Sequence, residues 1–429
     1  MRIVKLTNET KNNVLNDLLK RSPSSYGKYE GIVNDIIRNV RENKDAAIFE
    51  YTKNFDKCDL DADTILVTKE EVAEAYTKLD ADFVETMKKS AANVRDFHEK
   101  QLRQSFFTTK PDGSILGQRI TPLSRAGVYV PGGKAAYPSS VLMNVIPAKV
   151  AGVSEVVMTT PPGKDGKVNP GTLVAADIAG VDKIYKVGGA QAIAALAFGT
   201  ESIPKVDKIT GPGNIFVALA KKAVFGYVSI DSVAGPSEIL VLADKDANPR
   251  YVAADMLSQA EHDELASAIL ITDSMELAQK VSEEVENFTE VLSRKEIIRK
   301  SLDNYGYILV AESMDDAIDA ANDIASEHME ILTKDPFQTM TKVKNAGAIF
   351  LGEYSSEPLG DYFAGPNHIL PTNGTAKFFS PLGVDDFIKK TSIICYSKEA
   401  LERDHIDIER FATNEGLTAH ANSVAVRFE

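Results

Sequence analysis

The spacing of hydrophobic positions changes along the chain. From about residue 28 to 105, apolar residues recur three and four positions apart, as in GIVNDIIRNVRENKDAAIFEYTKNF, and this spacing predicts amphipathic helices. Thr68 followed by Glu71 forms a capping box that opens one of them. The segment PDG at 111–113, between FFTT and SILGQRITPL, predicts a short β-hairpin.

Beyond about residue 125, short apolar runs that end in Gly or Pro alternate with helical segments. The first series comprises GVYVPGG, EVVMTT, KIYKVGG and KITGPG; the second, from about residue 236, comprises SEILVLAD, ASAILITD, YGYILVA, MEILTKD and GAIFLGEY. Such alternation predicts parallel βαβ units. We therefore expect an α/β fold with two parallel sheets, followed after residue 383 by a polar, mostly helical tail.

Composition and charge narrow the possible functions. A chain of 429 residues exceeds what one hydrophobic core usually holds, so two or more domains are expected. The 44% hydrophobic and 26% charged residues are typical of a globular protein. A net charge of −14 argues against a nucleic-acid partner, whereas a small cationic substrate fits it.

The chain start and the cysteines bear on location and on metal type. The start MRIVKLTNETKNN lacks the apolar core of a signal peptide, and no stretch reaches about 18 uninterrupted apolar residues, so we expect a cytoplasmic protein without membrane contact. Cys58 and Cys395 lie far apart and outside any CxxC pair. This disfavours both a zinc–thiolate site and a disulfide framework.

Three glycine-rich turns fall where predicted strands end: PGGKAAYPSS at 131–140, VGGAQAIAALAFG at 187–199 and TGPGNIF at 210–216. Open parallel sheets bind ligands at the carboxyl ends of their strands, and glycine lets the backbone approach a pyrophosphate. No turn matches GxGxxG, since Phe216 stands where the third glycine belongs. The turns are therefore either tight βα connections alone or a cofactor site of another type.

Several acids and histidines occupy loops and helix ends. Gln259 and His262 are three positions apart, so one helix face presents both. Glu327 and His328 are adjacent at a helix-to-strand junction. They form either an acid–base pair or a helix C-terminus at which the histidine is favoured by the helix dipole. Nitrogen and oxygen side chains of this kind suit zinc, although no HExxH spacing is present. The two histidines in charged helical segments, His98 and His405, are expected at the surface.

Seven segments, taken in order, closely resemble the histidinol dehydrogenase family. They are RAGVYVPGGKAAYPSSVLMNVIPAKVAGV, TGPGNIFVALAKK, DSVAGPSEILVLAD, DMLSQAEHD, SEHMEI, GDYFAGPNHILPT and NEGLTAHANSV, and they cover residues from about 120 to 429. The resemblance implies an enzyme that oxidises L-histidinol to L-histidine through histidinaldehyde, with two NAD and one zinc ion per subunit. These are the last two steps of histidine biosynthesis.

The resemblance also assigns roles to individual residues. It implies Gln259, His262, Asp361 and His420 as zinc ligands. It implies Glu327 as the residue that activates water and His328 as the general base. Substrate contacts are assigned to Ser237, Gln259, His262, Glu327, His328, Asp361, His368, Glu415 and His420. The NAD-contacting positions are Tyr129, Gln191 and Asn214. The family acts as a homodimer with shared active sites, which implies that the partner's tail supplies Glu415 and His420.

The resemblance implies a specific domain organisation. The fold class is α/β with two incomplete Rossmann-like domains, similar to aldehyde dehydrogenases, and small helical appendages at both ends. Residues 1–27 form an N-terminal helical segment, and 28–125 with 237–382 form the first Rossmann-like domain, which carries most zinc and catalytic residues. Residues 126–236 form the second, NAD-binding domain, and 383–429 form a helical tail exchanged in the dimer.

Two other functional classes remain open on the residues themselves. A metal-dependent hydrolase uses similar ligands and a Glu base but needs no glycine-rich cofactor loops. A non-catalytic binding protein of two α/β lobes is the second, although adjacent Glu327 and His328 speak against it. Because both cysteines lie outside the polar clusters, an enzyme that oxidises an aldehyde here has to proceed through its hydrate, with Glu327 as the base.

Overall fold

The structure is a computed structural model that describes residues 1–21, 27–132 and 137–429. Part of the predicted glycine turn at 131–140 and the end of the segment 1–27 therefore lie outside the described residues. The strands are β1 Arg2–Lys5, β2 Phe106–Thr109, β3 Ile115–Pro122, β4 Arg125–Tyr129, β5 Glu155–Thr160, β6 Lys183–Lys186, β7 Lys208–Thr210, β8 Ser229–Ile230, β9 Glu238–Ala243, β10 Ser267–Thr272, β11 Gly306–Val310, β12 His328–Leu332, β13 Ala348–Leu351 and β14 Ile388–Cys395. The helices are α1 Asn8–Leu19, α2 Gly27–Phe55, α3 Lys69–Thr77, α4 Ala81–Glu99, α5 Pro138–Ala151, α6 Pro170–Ala179, α7 Gly189–Phe198, α8 Ile215–Val224, α9 Pro249–Ala260, α10 Met275–Val291, α11 Lys295–Tyr305, α12 Met314–Ile324, α13 Pro336–Met340, α14 Glu357–Tyr362, α15 Lys398–Asn414 and α16 Thr418–Ala425.

Two parallel sheets dominate the larger of two compact units, which comprises residues 1–101 and 123–387. One sheet has five strands in the order β6-β5-β4-β7-β8, and the other has six in the order β1-β11-β10-β9-β12-β13. All the pairings within them are parallel. The predicted α/β class with two parallel sheets is confirmed.

The central strands are continuous apolar runs because both faces of each sheet are covered. Every residue of β9, β10, β11 and β12 is buried. Helices α5 and α7 are almost wholly apolar and buried as well. Such runs are typical of parallel sheets with helices on both faces.

The first residues of the chain differ from the helical segment predicted for 1–27. Strand β1 pairs in parallel with β11, Arg2 opposite Tyr307 and Lys5 opposite Val310, and forms an edge of the six-stranded sheet. Helix α1 follows, as predicted for this segment. Four residues are too few to show the alternation of apolar and polar positions that predicts a strand. This segment is a strand because it pairs with β11, about 300 positions away in the sequence.

Helices α2, α3 and α4 have the predicted helical character, and the capping box of Thr68 and Glu71 is present at α3. Helix α2 packs against α7 and α8, while α3 and α4 pack against α5 and α6. Their buried side chains thus belong to the cores of the five-stranded sheet. The predicted domain of residues 28–125 with 237–382 assigns these helices to the other sheet instead. An amphipathic pattern identifies a helix's buried face but not its partner.

One histidine prediction is wrong. His98 is fully buried near the end of α4, where its Nδ1 lies 2.7 Å from the Val94 carbonyl oxygen. Its other ring nitrogen faces the Asn367 side chain at 3.4 Å. Charged neighbours in the sequence suggested a surface position, but the helix turns this side chain inward with Val94.

The second compact unit comprises residues 102–122 and 388–429. Its antiparallel sheet has the order β14-β3-β2, and β2 and β3 form the predicted hairpin at PDG. Helices α15 and α16 pack against each other. The eight-residue strand β14 was not predicted within the helical tail 383–429. Most of its residues are exposed, so its sequence lacks the buried apolar face that predicts a strand.

In the part of the chain that the structure describes, no helix combines the length and the apolar character needed to cross a membrane.

Candidate functional site

The polar cluster predicted from the sequence assembles at the amino ends of strands in the six-stranded sheet. Ser237 directly precedes β9, and Glu327 and His328 lie at the start of β12. Gln259 ends α9, which connects β9 to β10, and Asp361 lies on α14. The sheet gathers at one end side chains that are separated by up to about 120 positions in the sequence.

His328 is the centre of this cluster. It is buried, and its Nδ1 lies 2.9 Å from the Glu238 carbonyl oxygen, to which an Nδ1 proton is donated. Its Nε2 has no hydrogen-bond partner in the part of the chain that the structure describes; it lies 3.6 Å from Asp361 Oδ1 and 3.9 Å from Glu357 Oε1. The free ring nitrogen therefore faces two carboxyl groups.

These carboxyl groups control the charge of the imidazole. Burial lowers the pKa of His328, but Glu327, Asp361 and Glu357 together raise that pKa to about 10. For Asp361, burial raises the pKa, while His328 and His368 lower it to about 2. A divalent ion held by Asp361 would oppose the effect of its carboxylate on the ring.

Glu327 is buried beside a second carboxyl group. Burial raises the pKa of Glu327 to about 8, and the neighbouring Glu238 adds to this rise while His328 opposes it. The Glu238 backbone N–H donates to Glu327 Oε2 at 2.9 Å. One carboxyl oxygen is thus held by the backbone of β9, which fixes the orientation of the side chain.

An ion pair lies directly behind Glu327. The guanidinium of Arg21 donates to Glu238 Oε1 at 2.6 Å, and both side chains are almost completely buried. Arg21 also donates to the Leu265 carbonyl oxygen at 2.7 Å. Neither residue of this pair was predicted from the sequence. An acid within the otherwise apolar run EILVLA was the available signal, since a buried charge requires a partner.

Glu357 is another residue that sequence reasoning missed. It begins α14 and is buried, and its Oε2 accepts a hydrogen bond from Ser258 at 3.0 Å. Burial raises its pKa to about 8, and Asp361 adds to the rise. The ligand atoms of His328, Glu357 and Asp361 lie within 4.8 Å of one another, close enough to bind one cation.

Gln259 and His262, predicted to share one helix face, do not do so, because α9 ends at Ala260 and His262 lies beyond it. Gln259 is 1% exposed, and neither its amide nitrogen nor its amide oxygen has a hydrogen-bond partner among the described residues. Buried amides normally have partners, because leaving one without them costs about 1–3 kcal/mol. His262 lies in the exposed turn after α9, within electrostatic reach of Asp361 and His328.

His368 and Ser237 complete the predicted substrate contacts in this unit. His368 Nδ1 lies 3.0 Å from the Asp361 carbonyl oxygen, and its Nε2 lies 3.3 Å from Ser140 Oγ. A pocket of about 310 Å³ is lined by His328, Asp361 and His368 together with Phe350 and other apolar side chains. Ser237 is half-buried at the start of β9, and its carbonyl accepts from Ser267.

A larger cleft of about 1130 Å³ lies where strands of the five-stranded sheet end. Tyr129, Gln191 and Asn214, the three residues implied in NAD binding, all line it. The Tyr129 hydroxyl accepts from the Gly189 backbone N–H at 3.1 Å, and Asn214 caps α8. These contacts orient the side chains around the opening.

Gly211 illustrates why a turn beside this cleft needs glycine. Its φ is +120°, and a Cβ there would lie 2.0 Å from the Tyr129 carbonyl oxygen. Its N–H donates to Asp231 at 2.8 Å and its carbonyl accepts from Lys221 at 2.9 Å. The Lys221–Asp231 pair is itself buried, so the loop before Asn214 is held in place on both sides.

Glu415 and His420 belong to the second compact unit and are not part of the cluster formed within the first. Glu415 follows α15, His420 lies on α16, and both are exposed. Their assignment to the substrate and the metal remains a prediction.

Comparison with known proteins gives consistent matches over nearly the whole chain. The family model described as histidinol dehydrogenase matches residues 19–428. Histidinol dehydrogenase of Clostridium acetobutylicum is 59% identical over 394 residues, covering 92% of this chain and 91% of that protein. The enzyme of Caldanaerobacter subterraneus subsp. tengcongensis is 56% identical over 422 residues, covering 98% of each.

A solved structure agrees with the sequence matches. The crystal structure of histidinol dehydrogenase from Elizabethkingia anophelis is similar with a TM-score of 0.93 and 36% identity, and the match covers 100% of this chain and 98% of that one. Sequence and structure lead to the same assignment: the chain belongs to the histidinol dehydrogenase family.

Proposed function

We propose that the protein oxidises L-histidinol to L-histidine through histidinaldehyde, with zinc and two NAD. The observation that carries this proposal is the buried Glu327–His328 pair beside Asp361, in a chain that belongs to this family and has a cofactor-sized cleft. A hydrolase needs no such cleft, and a non-catalytic binding protein needs no buried acid–base pair.

The residues fit a zinc ion. Gln259 offers a buried amide without any partner, and the donor set of amide, imidazole and carboxylate is one that zinc accepts. We propose one ion per subunit, held by Gln259, His262, Asp361 and His420. When bound, zinc would coordinate nitrogen atoms of the substrate and so hold it in place. Asp361 is also one of the three clustered residues, with His328 and Glu357, that lie within reach of a single cation.

The chain's own side chains supply the proton transfers. The free Nε2 of His328 accepts the alcohol proton as the carbinol carbon loses hydride to NAD, giving histidinaldehyde. Glu327 then removes a proton from water as its oxygen adds to the aldehyde carbon. The resulting hydrate anion transfers a second hydride to a second NAD and loses its remaining hydroxyl proton to solvent, which gives the carboxylate. Each turnover therefore yields two NADH.

The cysteines support a hydrate route over a thiohemiacetal. Cys58 is buried, Cys395 is exposed in the second compact unit, and neither lines the substrate pocket. Glu327, whose second carboxyl oxygen is not bound by Glu238, is left as the group that activates water.

A stoichiometric assay tests the reaction. The purified, zinc-loaded protein is mixed with limiting L-histidinol and excess NAD, and absorbance of reduced nicotinamide is followed to completion. We expect two NADH per histidinol. A hydrolase or a binding protein gives none, and one NADH per histidinol would contradict the hydrate step.

We also propose that the protein is a homodimer whose tails are exchanged. The second unit carries Glu415 and His420, and it exposes large apolar side chains that a partner could cover. The exposed fractions are 55% for Phe106, 58% for Phe107, 74% for Ile394 and 71% for Phe411. Clusters of this kind mark protein interfaces. The cytoplasmic location stays a prediction.

A complementation experiment tests the shared site. His420→Ala and His262→Asn chains are each expected to be nearly inactive, because each lacks one proposed zinc ligand. In a hybrid dimer one of the two sites then has both ligands intact, so mixing should restore up to about half of the activity per hybrid. Native mass spectrometry quantifies the hybrids. Tail exchange would be contradicted if hybrids form but show no activity. It would also be contradicted if the mixture contains as much zinc as wild type and is still inactive.

A further inference from the structure

One carboxyl group on the wall of the cofactor cleft has an oxygen without a partner. Asp56 directly follows α2 and lines the cleft together with Tyr129, Gln191 and Asn214. Its Oδ2 is buried and, among the described residues, accepts no hydrogen bond. No role is predicted for Asp56 from the sequence, because the helix before it shows only amphipathic spacing.

The surroundings of Asp56 do not compensate its charge. Burial raises its pKa to about 6, and no cation among the described residues lowers it. Three lysines line the cleft: Lys78 and Lys167 are both paired with Glu74, and the exposed Lys164 does not contribute to the pKa of Asp56. At neutral pH the protein therefore keeps an ionised, partly desolvated carboxylate in an open cleft, which is unfavourable unless a ligand supplies donors.

The chemistry of a carboxylate limits what it can bind. When ionised it only accepts hydrogen bonds, so its complement is a group of neutral donors such as a pair of ribose hydroxyls. Dinucleotide-binding folds use an acid for this contact, and a 2′-phosphate in its place is repelled. This chain lacks GxGxxG, and the acid about 20 residues after the TGPGNIF turn, Asp231, is buried in a pair with Lys221, so the acid has to come from another element.

We propose that Asp56 binds a ribose diol of NAD through its carboxylate and is the residue that selects NAD over NADP. The proposal rests on the proposed function, since it takes the cleft as the NAD site. Gly189 and Gln191, at the amino end of α7, line the same cleft, where backbone N–H groups favour the pyrophosphate. Asp56 thus adds the sugar contact to a site that already fits the rest of the dinucleotide.

Binding titrations test this without turnover. NADH and NADPH are each titrated into the zinc-loaded protein, and nicotinamide fluorescence reports binding. Wild-type protein should bind NADH at least about tenfold more tightly than NADPH. Asp56→Asn should weaken NADH binding about tenfold and bind NADPH no worse than wild type. The matched control is Asp63→Asn, an exposed acid that does not line the cleft, which should change neither affinity.

The outcomes separate the two proposals. If wild-type protein binds neither nucleotide, the NAD site and the role of Asp56 both fall. If it binds NADH and Asp56→Asn binds NADH equally well, or if wild type binds NADH and NADPH equally, only the role of Asp56 falls.

Thermal unfolding without nucleotide shows whether Asp56→Asn folds. It also tests whether the partly buried Asp56 carboxylate destabilises the wild-type protein. The folded protein binds the Asp56 proton more tightly than the unfolded chain, whose pKa is near the ordinary 3.8. Wild type therefore loses stability relative to Asp56→Asn as pH rises from about 4 to about 6, and the loss is complete above that window. We expect Asp56→Asn to melt at a higher temperature than wild type at pH 8, with the gap closing towards pH 4. A lower melting temperature at pH 8 would contradict an uncompensated carboxylate.

Discussion

Glu327→Gln should lower the rate of histidinol oxidation to histidine by about 10²–10⁴-fold, the usual contribution of a general base. The amide keeps the size of the side chain and its hydrogen bond from the Glu238 backbone, but it cannot take a proton from water. Reduction of histidinaldehyde by NADH needs no activated water, so this rate should fall by less than about tenfold.

Stopped-flow absorbance of NADH measures both directions on the same preparations. Glu261→Gln is a suitable control because Glu261 caps α9 next to the site without belonging to the Glu327 cluster, and it should leave both rates within a factor of about two. Equal losses in the two directions for Glu327→Gln would remove Glu327 from the water-activating role.

Gln259→Leu should reduce the zinc content after dialysis to less than one-tenth of that of wild type. The reason is that loss of a group that supports the metal lowers metal affinity by about 10–100-fold. Histidinol oxidation should fall in parallel. In the metal-free protein the same change should raise the free energy of unfolding by about 1–3 kcal/mol, because both amide atoms are buried without partners and leucine is not penalised there. If the role of Gln259 were only structural, Gln259→Leu would lower the free energy of unfolding both with and without zinc.

Elemental analysis gives the zinc content, and urea unfolding with a chelator gives the stability of the metal-free protein. Gln279→Leu, on the exposed surface of α10, provides a control and should affect neither measurement. His262→Asn should also lose zinc. Stoichiometric zinc in both site variants would overturn the proposed ligand set.

The sequence predicted those parts of the fold that depend on local pattern. Alternating apolar runs and helices gave the two parallel sheets, and PDG gave the hairpin of β2 and β3. Strand β1 and the packing of α2 were not predictable in this way. Both depend on partners distant in sequence, and a period of apolar residues does not identify a partner.

The site was predictable to a similar extent. Adjacency in the sequence placed Glu327 beside His328, whereas the helix face predicted for Gln259 and His262 is wrong because α9 ends at Ala260. The resemblance to a family was needed to connect these residues with Asp361. Glu238 and Glu357 were not predicted, because the sequence around each is typical of an ordinary strand or loop. Their importance comes from burial next to His328 and Glu327, which is a property of three-dimensional packing.

The edge position of β1 has a consequence for how the chain folds during synthesis. Arg2 and its neighbours leave the ribosome long before their partners in β11, which follow about 300 residues later, and Arg21 precedes its partner Glu238 by 217 positions. The five-stranded sheet, from β4 to β8, is synthesised complete within that interval. Contacts of such high contact order form slowly. Of the two parallel sheets, the one that positions Glu327 is thus the later to close, because its strand β13 ends only at Leu351. The Glu327 cluster therefore forms well after the five-stranded sheet has been synthesised.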